Sequence, residues 1–354
     1  MSKSKAYIAI DVHARNCVLG WRNGRGVFQG KVHHETSEAE LIKAVEAVPS
    51  GNKLVTVEES TLASWVARTL RPYVAEVVIC DPRSNKAILQ NPQKNDERDV
   101  EELSRLLWLG QLCGVYHAQE DDRAVFKTLV QQYLDLRDEQ VRLKLKLKAK
   151  FHLWGITQVG GHKVYAEDHR EEFVGKIKDD SIRRQMKRIY VLLDQALALE
   201  ADAFKEVVAR GRRYPEIAEF TKIPGVGPVG SHVFDAYIQT PNRFDSAPKV
   251  WRYCQLAVTD RSSDGKPLGF RRLDTHGNPE LKAMSYWAWK GALHMNRDNE
   301  VKRFYYASLA RTHDKTHARL NTQRKIIATM WVLWKNKEEY RPERFLSPAD
   351  ATDR

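Results

Sequence analysis

Four acidic residues in the first hundred positions have the type and spacing to hold a metal ion. Asp11 ends the apolar run 7–10 and Glu58 ends the apolar run 54–57, while Asp96 and Asp99 begin an amphipathic helical pattern. Adjacent parallel strands would bring the first two carboxylates to one sheet edge, and a nearby helix start could add the other two. Such like charges are costly unless a divalent cation such as Mg²⁺ neutralises them. The pattern predicts metal-dependent phosphoryl transfer on nucleic acid.

Composition favours a multidomain protein with a polyanionic partner. The 354 residues predict two or three domains, and a hydrophobic fraction of 42% is ample for their cores. The formal net charge of +12 points to nucleic acid. The alternative is a basic protein without such a partner.

Cysteine usage and hydropathy predict a soluble, cytoplasmic protein. The four cysteines are scattered without metal-ligand spacing: Cys17, Cys80, Cys113 and Cys254. They are typical of reduced thiols in a cytosolic protein. No apolar run approaches the roughly 20 residues that cross a bilayer, so we expect no membrane association.

Residues 1–118 alternate between strand-like and helix-like patterns. Three consecutive strands are predicted within 7–32, then a helix near Ser37, then two strand–helix steps. Ser37 and Glu40 could form a capping box at the start of that helix. This order predicts a mixed α/β sheet.

From about residue 123 the pattern becomes helical. Heptad-spaced apolar positions run through 126–147 and again through 182–207, separated by a glycine-containing stretch. Two such helices predict an antiparallel hairpin or an oligomerisation arm, and an ordinary helical bundle is the alternative. Lys144, Lys146 and Lys148 on the first helix could meet nucleic-acid phosphates, or form a solvated basic face.

Two glycines mark a candidate phosphate-binding turn. The segment 223–227, with Gly225 and Gly227, has apolar positions before it and a helix-compatible run after it. This matches the turn of a helix–hairpin–helix module, in which backbone N–H groups at a helix start hold a DNA phosphate. A plain turn between two helices is the alternative.

Paired serines occur in a basic segment further along the chain. Ser262 and Ser263 follow Arg261, and Lys266, Arg271 and Arg272 lie just beyond them. A serine hydroxyl is a poor nucleophile without a base or nearby cations, and spacing alone makes neither serine catalytic. The tryptophans of the C-terminal third are expected to lie in the core rather than to stack on bases.

Taken in order, these motifs resemble the DEDD transposases of insertion sequences, a RuvC-like family that includes Piv-type invertases and bridge-RNA-guided recombinases. The resemblance spans nearly the whole chain. It rests on six segments: the strand ending at Asp11, Val57-Glu58-Glu59-Ser60, Cys80-Asp81-Pro82, 94–99, 223–227 and 261–266. Each segment alone is weak, and their common order makes the resemblance specific.

The resemblance implies three domains. They are a RuvC-like, RNase H-like α/β catalytic domain over 1–118, a helical coiled-coil linker over 119–212, and a mainly α C-terminal transposase domain over 213–354 with a helix–hairpin–helix. It implies Mg²⁺ held by Asp11, Glu58, Asp96 and Asp99. It also implies a serine nucleophile that best matches Ser263, strand exchange through a phosphoserine intermediate, and a homodimer or homotetramer acting on DNA with an element-encoded guide RNA.

Two positions stay open within the resemblance, because Glu59 is the alternative to Glu58 and Ser262 is the alternative to Ser263. The competing function is a metal-dependent DNA nuclease or junction resolvase without a covalent intermediate. A nucleic-acid-binding protein that has kept the fold is a further alternative. A sugar kinase or ATPase fits less well, since the glycine-rich phosphate loops expected after the first strand are missing.

Overall fold

The computed structural model describes residues 5–82, 85, 96–117, 121–263 and 266–346. Side chains at 96, 97, 121, 260–263 and 266–271 lie outside this description. The chain divides into two compact units, Met1–His117 and Ala118–Arg354. The finer division of the second unit into a linker, 119–212, and a C-terminal domain, 213–354, stays a prediction.

The first unit is built on a five-stranded mixed sheet. Its strands are β1 (Lys5–Val12), β2 (Asn16–Asn23), β3 (Phe28–Glu35), β4 (Asn52–Glu58) and β5 (Glu76–Cys80). The spatial order is β3-β2-β1-β4-β5. The first three strands pair antiparallel, whereas β4 and β5 join β1 as parallel strands.

Helices cover both faces of this sheet. Helix α1 (Glu38–Ala47) begins where the Ser37 hydroxyl accepts a hydrogen bond from the Glu40 backbone N–H at 3.2 Å. This is half of the predicted capping box, because the Glu40 side chain turns to His34 instead. With α2 (Ala63–Leu70), α1 packs on one face, and α3 (Asp96–Leu109) packs on the other.

The second unit is mostly helical. Its helices are α4 (Asp121–Leu153), α5 (Arg170–Val174), α6 (Asp180–Gly211), α7 (Glu216–Thr221), α8 (Pro228–Ile238), α9 (Ala247–Tyr253), α10 (Pro279–His294), α11 (Glu300–Thr312) and α12 (Lys315–Asn336). A two-stranded antiparallel ribbon, β6 (Val258–Ser263) and β7 (Lys266–Leu273), interrupts them. The predicted mixed α/β sheet followed by a mainly helical region is therefore confirmed.

The two long helices α4 and α6 lie antiparallel. Asp122 near the start of α4 is ion-paired with Arg210 near the end of α6, and the Tyr133 and Phe204 rings are 5.1 Å apart. Further along, the buried residues of α4, such as Leu147, pack against those of α6, such as Tyr190. Several of the predicted heptad positions, such as Tyr133, Leu147 and Leu193, are buried, and the coiled coil stays a prediction.

Helices α7 to α12 close around one large core, which also includes the start of α4. Phe126 near the start of α4, Phe220 of α7, Phe234 of α8 and Met330 of α12 are all buried in it. Among the described residues, no helix is long and apolar enough to cross a membrane.

Candidate active site

Asp11 and Glu58 lie side by side at the carboxyl ends of two parallel strands. The register of β1 and β4 pairs Ile10 with Val57. Asp11 directly follows Ile10, and Glu58 directly follows Val57, so the two carboxylates lie at the same height on adjacent strands. Neighbouring strands are about 4.8 Å apart. The Asp11 side chain is 21% exposed, so its charge is only partly solvated.

Both carboxylates belong to the sheet face that α3 covers. Ala9, two residues before Asp11, packs with Val100 and Leu103 of α3. Cys80, which pairs with Glu58 across β4 and β5, joins the same cluster. Because successive strand residues point to opposite faces, Asp11 and Glu58 point toward the side of the sheet where α3 lies.

The charge of each carboxylate acts on a neighbouring thiol. Burial raises the pKa of the Cys80 thiol, and the charge of Glu58 raises it further. Burial likewise raises the pKa of Cys17, with a smaller contribution of the same sign from Asp11. The site edge is therefore negative, and both thiols stay protonated at neutral pH.

Glu58 and Glu59 occupy different surroundings. Glu58 is the last residue of β4 and is level with Asp11. The Glu59 backbone N–H still donates to the Cys80 carbonyl oxygen at 2.9 Å, but its side chain is 48% exposed and lies 3.8 Å from His117 Nε2. The Nδ1 atom of the same ring is 2.9 Å from the Ser64 hydroxyl. The register thus favours Glu58 as the partner of Asp11.

The other two predicted ligands lie at the start of α3. Asp96 is its first residue, with a side chain outside the described set, and Asp99 is partly buried one turn later. Among the described side chains, no three of His, Cys, Asp or Glu converge closely enough to hold a metal ion. Asp11 is instead 3.3 Å from His13 Nε2. The carboxylate oxygens at this edge are nevertheless the ligand type that Mg²⁺ prefers.

The paired serines lie at the far end of the β6–β7 ribbon. Ser263 pairs with Lys266 and Ser262 with Pro267, and the intervening residues 264–265 lie outside the described set. A register irregularity falls between Asp260 and Ser262, at Arg261. The basic segment that carries the two serines is thus an antiparallel ribbon.

The basic residues predicted around the serines belong to the same ribbon. Arg271 pairs across it with Asp260, and Arg272 pairs with Thr259. Arg272 is exposed, and its carbonyl oxygen accepts a hydrogen bond from the Thr259 hydroxyl at 3.3 Å. The ribbon therefore brings Arg261, Lys266, Arg271 and Arg272 onto one element with both serines.

The buried carboxylate of Asp274 stabilises the base of the ribbon. The sequence alone did not predict this role. The Asp274 backbone N–H donates to the Ala257 carbonyl oxygen at 2.8 Å. Its carboxylate accepts hydrogen bonds from the His276 backbone N–H at 2.9 Å and from Arg252 Nε at 3.0 Å. These donors, led by the His276 N–H, hold the pKa of Asp274 below its ordinary value. The Asp-Thr-His spacing directly after β7, typical of an Asx turn, was the available signal.

The two glycines of the helix–hairpin–helix candidate have different surroundings. Gly225 has φ +85°, and a Cβ there would lie 2.0 Å from the Ala288 carbonyl oxygen of α10. Close helix packing therefore accounts for glycine at this position. Gly227 precedes α8 as its N-cap, and a Cβ there would meet nothing within 4 Å. Gly227 is the position at which a phosphate has room to approach.

The three predicted lysines of α4 differ in the contacts that their ammonium groups make within the protein. Lys144 and Lys148 place their ammonium groups 5.6 and 5.4 Å from the centre of the Tyr165 ring. Lys144 also donates to Gln140 Oε1 at 2.7 Å. Lys146 is exposed. The helix thus presents a cationic face at this level, with two of the three charges held over an aromatic ring.

A mixed sheet with adjoining carboxylates, joined in one chain to a helical unit with a basic ribbon, suits an enzyme that processes nucleic acid. The comparison with known families makes this more specific. Residues 218–306 match the family model described as "Transposase IS116/IS110/IS902 family". The matched part includes Gly225, Gly227, the ribbon, α10 and the first half of α11. The similarity supports an insertion-sequence transposase role, and with it DNA binding. No curated protein gives a significant match to the chain.

Proposed function

We propose that this chain is a DNA transposase and recombinase of an insertion sequence, acting through Mg²⁺-dependent strand cleavage and a phosphoserine intermediate. The proposal rests on the position of Asp11 and Glu58, which lie at the same height on adjacent parallel strands. Residues 218–306 of the same chain match a transposase family. The proposed roles follow from the surroundings of each residue.

The strand order of the first unit supports an RNase H-like, RuvC-like catalytic domain. Three antiparallel strands followed by two parallel ones, in the order β3-β2-β1-β4-β5, put Asp11 on the central strand. Asp11, Glu58, Asp96 and Asp99 would hold Mg²⁺, with Glu59 as the alternative to Glu58. When bound, the cation offsets the negative charge that develops on the scissile phosphate. Without it, the adjoining carboxylates would repel that phosphate.

Ser263 is the proposed nucleophile, with Ser262 as the alternative. Its Oγ forms a bond to phosphorus, the bond from phosphorus to a deoxyribose oxygen breaks, and the serine proton passes to water while the leaving oxygen takes one up. A hydroxyl of a second DNA end then attacks the phosphoserine, and serine recovers its proton. Since one phosphoester is exchanged for another, rejoining needs no ATP.

The nucleic-acid contacts are proposed for three regions of the second unit. Arg261, Lys266, Arg271 and Arg272 accompany the serines on the ribbon, where they would hold the scissile phosphate. The open backbone at Gly227 would bind a phosphate at the start of α8, close to Gly225. Lys144, Lys146 and Lys148 would meet the backbone of DNA or of an element-encoded guide RNA.

Exposed apolar residues on the two long helices support an oligomer. On α4, Val141 and Leu145 are four residues apart, and Leu145 is 63% exposed. On α6, Leu192 and Leu199 are seven residues apart and also exposed. Such stripes outside the buried α4–α6 interface suit contact with another copy of the chain, as a homodimer or homotetramer.

The test is a covalent-capture assay with purified full-length protein, Mg²⁺, copurified RNA and radiolabelled DNA carrying the element end. Wild type, Ser263→Ala, Ser262→Ala and Asp11→Asn are compared on a denaturing gel. We expect labelled protein with wild type and Ser262→Ala, and none with Ser263→Ala or Asp11→Asn. Loss of the adduct only in Ser262→Ala would move the nucleophile by one residue. Nicked DNA without any adduct would establish a nuclease or junction resolvase instead.

A further inference from the structure

Five aromatic rings form a continuous chain across helices α10 and α11. Adjoining ring centres are 5.3 to 5.6 Å apart, spacings at which aromatic rings interact favourably. We call this set the aromatic ladder. In order, it runs through Trp287, Tyr286, Trp289, Tyr305 and Tyr306.

Both ends of the aromatic ladder face solvent. Trp287 is 61% exposed and Tyr306 is 60% exposed, whereas Tyr305 between them is buried. The same unit buries other tryptophans, such as Trp331, whose indole N–H donates to the Pro241 carbonyl oxygen at 2.9 Å. The expectation that the C-terminal tryptophans are core residues is therefore wrong for Trp287. Contiguous apolar surface that stays exposed on a folded protein often marks a binding site.

The surroundings of the ladder are basic. Lys290 places its ammonium group 5.1 Å from the centre of the Trp287 ring, and the Arg319 guanidinium is 5.8 Å from that of Tyr286. The segment 282–319 contains eight Lys and Arg against three Asp and Glu.

The three acidic residues of this segment already have interaction partners within the protein. Asp298 is 3.5 Å from Arg303, Glu300 is buried against the Tyr340 hydroxyl, and Asp314 caps the start of α12 by accepting the His317 N–H at 2.8 Å. Glu300 and Asp314 are thus occupied within the fold, and Asp298 is neutralised by its partner. The segment that carries the ladder therefore keeps a positive balance, and Lys290 and Arg319 lie next to its rings.

We propose that the aromatic ladder binds unpaired nucleotides, with Trp287 and Tyr306 stacking on bases and Lys290 contacting phosphate. Exposed aromatic faces with adjacent cations fit single-stranded nucleic acid, because bases in a duplex are already stacked on one another. An apolar protein partner would gain nothing from the positive balance. The inference rests on the nucleic-acid binding of the proposed function, but not on its metal or serine chemistry.

Fluorescence anisotropy of the full-length protein tests this directly. The probes are a fluorescein-labelled single-stranded RNA, a single-stranded DNA of the same sequence and the corresponding DNA duplex. Trp287→Ala and Tyr306→Ala should each weaken single-strand binding about tenfold. Duplex affinity should change by less than about twofold, since no base is free to stack. Loss of both RNA and DNA binding indicates a general stacking surface, and loss of RNA binding alone indicates a guide-RNA site.

Matched variants separate stacking from other effects. Trp154 is an exposed tryptophan outside the ladder, so Trp154→Ala should leave all three affinities unchanged. Trp287→Phe keeps an aromatic face and should recover most of the lost affinity, which a change in net charge or folding would not do. Equal weakening of single-strand and duplex binding, or no weakening with Trp287→Ala, would overturn the inference.

The capture assay distinguishes failure of this inference from failure of the proposed function. If single-strand binding depends on Trp287 but no protein–DNA adduct forms, the ladder inference is supported and the proposed recombinase chemistry is refuted. A serine-dependent adduct, with single-strand binding unaffected by Trp287→Ala and Tyr306→Ala, would overturn the ladder alone.

Discussion

Gly225 is in backbone contact with Ala288: a Cβ at position 225 would lie 2.0 Å from the Ala288 carbonyl oxygen and 2.7 Å from the Ala292 nitrogen. This contact joins the turn after α7 to the middle of α10. It explains why glycine stands at 225 without invoking DNA.

Gly225→Ala should therefore destabilise the second unit. The added methyl group overlaps backbone atoms that cannot swing aside, and the φ of +85° disfavours any L side chain. We expect the free energy of unfolding to fall by about 2–4 kcal/mol, measured by denaturant titration. An unchanged unfolding midpoint would show that the turn does not pack as described.

Gly227→Ser should keep the fold and weaken DNA binding. The site has open space for a side chain, and serine is a favoured N-cap residue. Its hydroxyl would accept hydrogen bonds from the first N–H groups of α8 and so compete with a phosphate. Unfolding and duplex-DNA affinity are measured together. Unchanged affinity in a normally folded variant would remove Gly227 from the binding surface.

The sequence predicted the sheet better than the ribbon, for a physical reason. The runs ending at Asp11 and Glu58 are continuous and apolar, as is typical of strands buried on both faces, so these strands could be recognised locally. The polar segment around Ser263 carries no such pattern, and its pairing is visible only in the fold. Helical periodicity likewise could not reveal that Trp287 stays exposed. Which side of helix α10 is buried depends on where the neighbouring helices pack, and the sequence of α10 does not show this.

Asp274→Asn should loosen the ribbon base and alter its pH dependence. The folded pKa of Asp274 is lowered, so its carboxylate stabilises the fold above the unfolded pKa of about 3.9, and this stabilisation is lost as pH falls through the folded value. We expect a loss of about 1–3 kcal/mol at neutral pH and a shallower decline in acid, measured by thermal unfolding. The exposed Asp245, paired with Lys249, provides the control: Asp245→Asn should change the melting temperature less.

Arg123 pairs with two carboxylates where α4 meets α7 and α8, of which Asp235 is fully buried and Glu216 is partly buried. It is 2.6 Å from Glu216 Oε1 and 2.5 Å from the fully buried Asp235, and its guanidinium lies 3.8 Å from the centre of the Tyr214 ring. Arg123→Ala would leave both carboxylates unpaired, so we expect a loss of about 3–5 kcal/mol in unfolding free energy. Arg213→Ala, which removes an exposed ion pair, should cost less than about 1 kcal/mol.

The same variant should show a defined pH dependence. Burial raises the pKa of Asp235 well above its ordinary value, and loss of the arginine charge would raise it further. The folded state then takes up a proton at a pH where the unfolded chain has lost it, so stability increases as pH falls toward the unfolded pKa. The defect of Arg123→Ala should thus be smaller near about pH 5 than near about pH 8. A defect that grows in acid would contradict the buried placement of Asp235.

Glu58 and Glu59 provide a matched pair for the proposed metal site. Glu58 is level with Asp11, whereas Glu59 is half exposed near His117. Glu58→Gln should lower Mg²⁺-dependent strand cleavage about 100-fold or more, and Glu59→Gln should leave it within about threefold. Binding of Mg²⁺ to the folded protein should also raise the melting temperature of wild type and Glu59→Gln, because a ligand of the native state stabilises it, but not that of Glu58→Gln. The melting temperature separates loss of metal binding from loss of a later step. The reverse pattern, with Glu59→Gln inactive and insensitive to Mg²⁺, would reassign the ligand to Glu59.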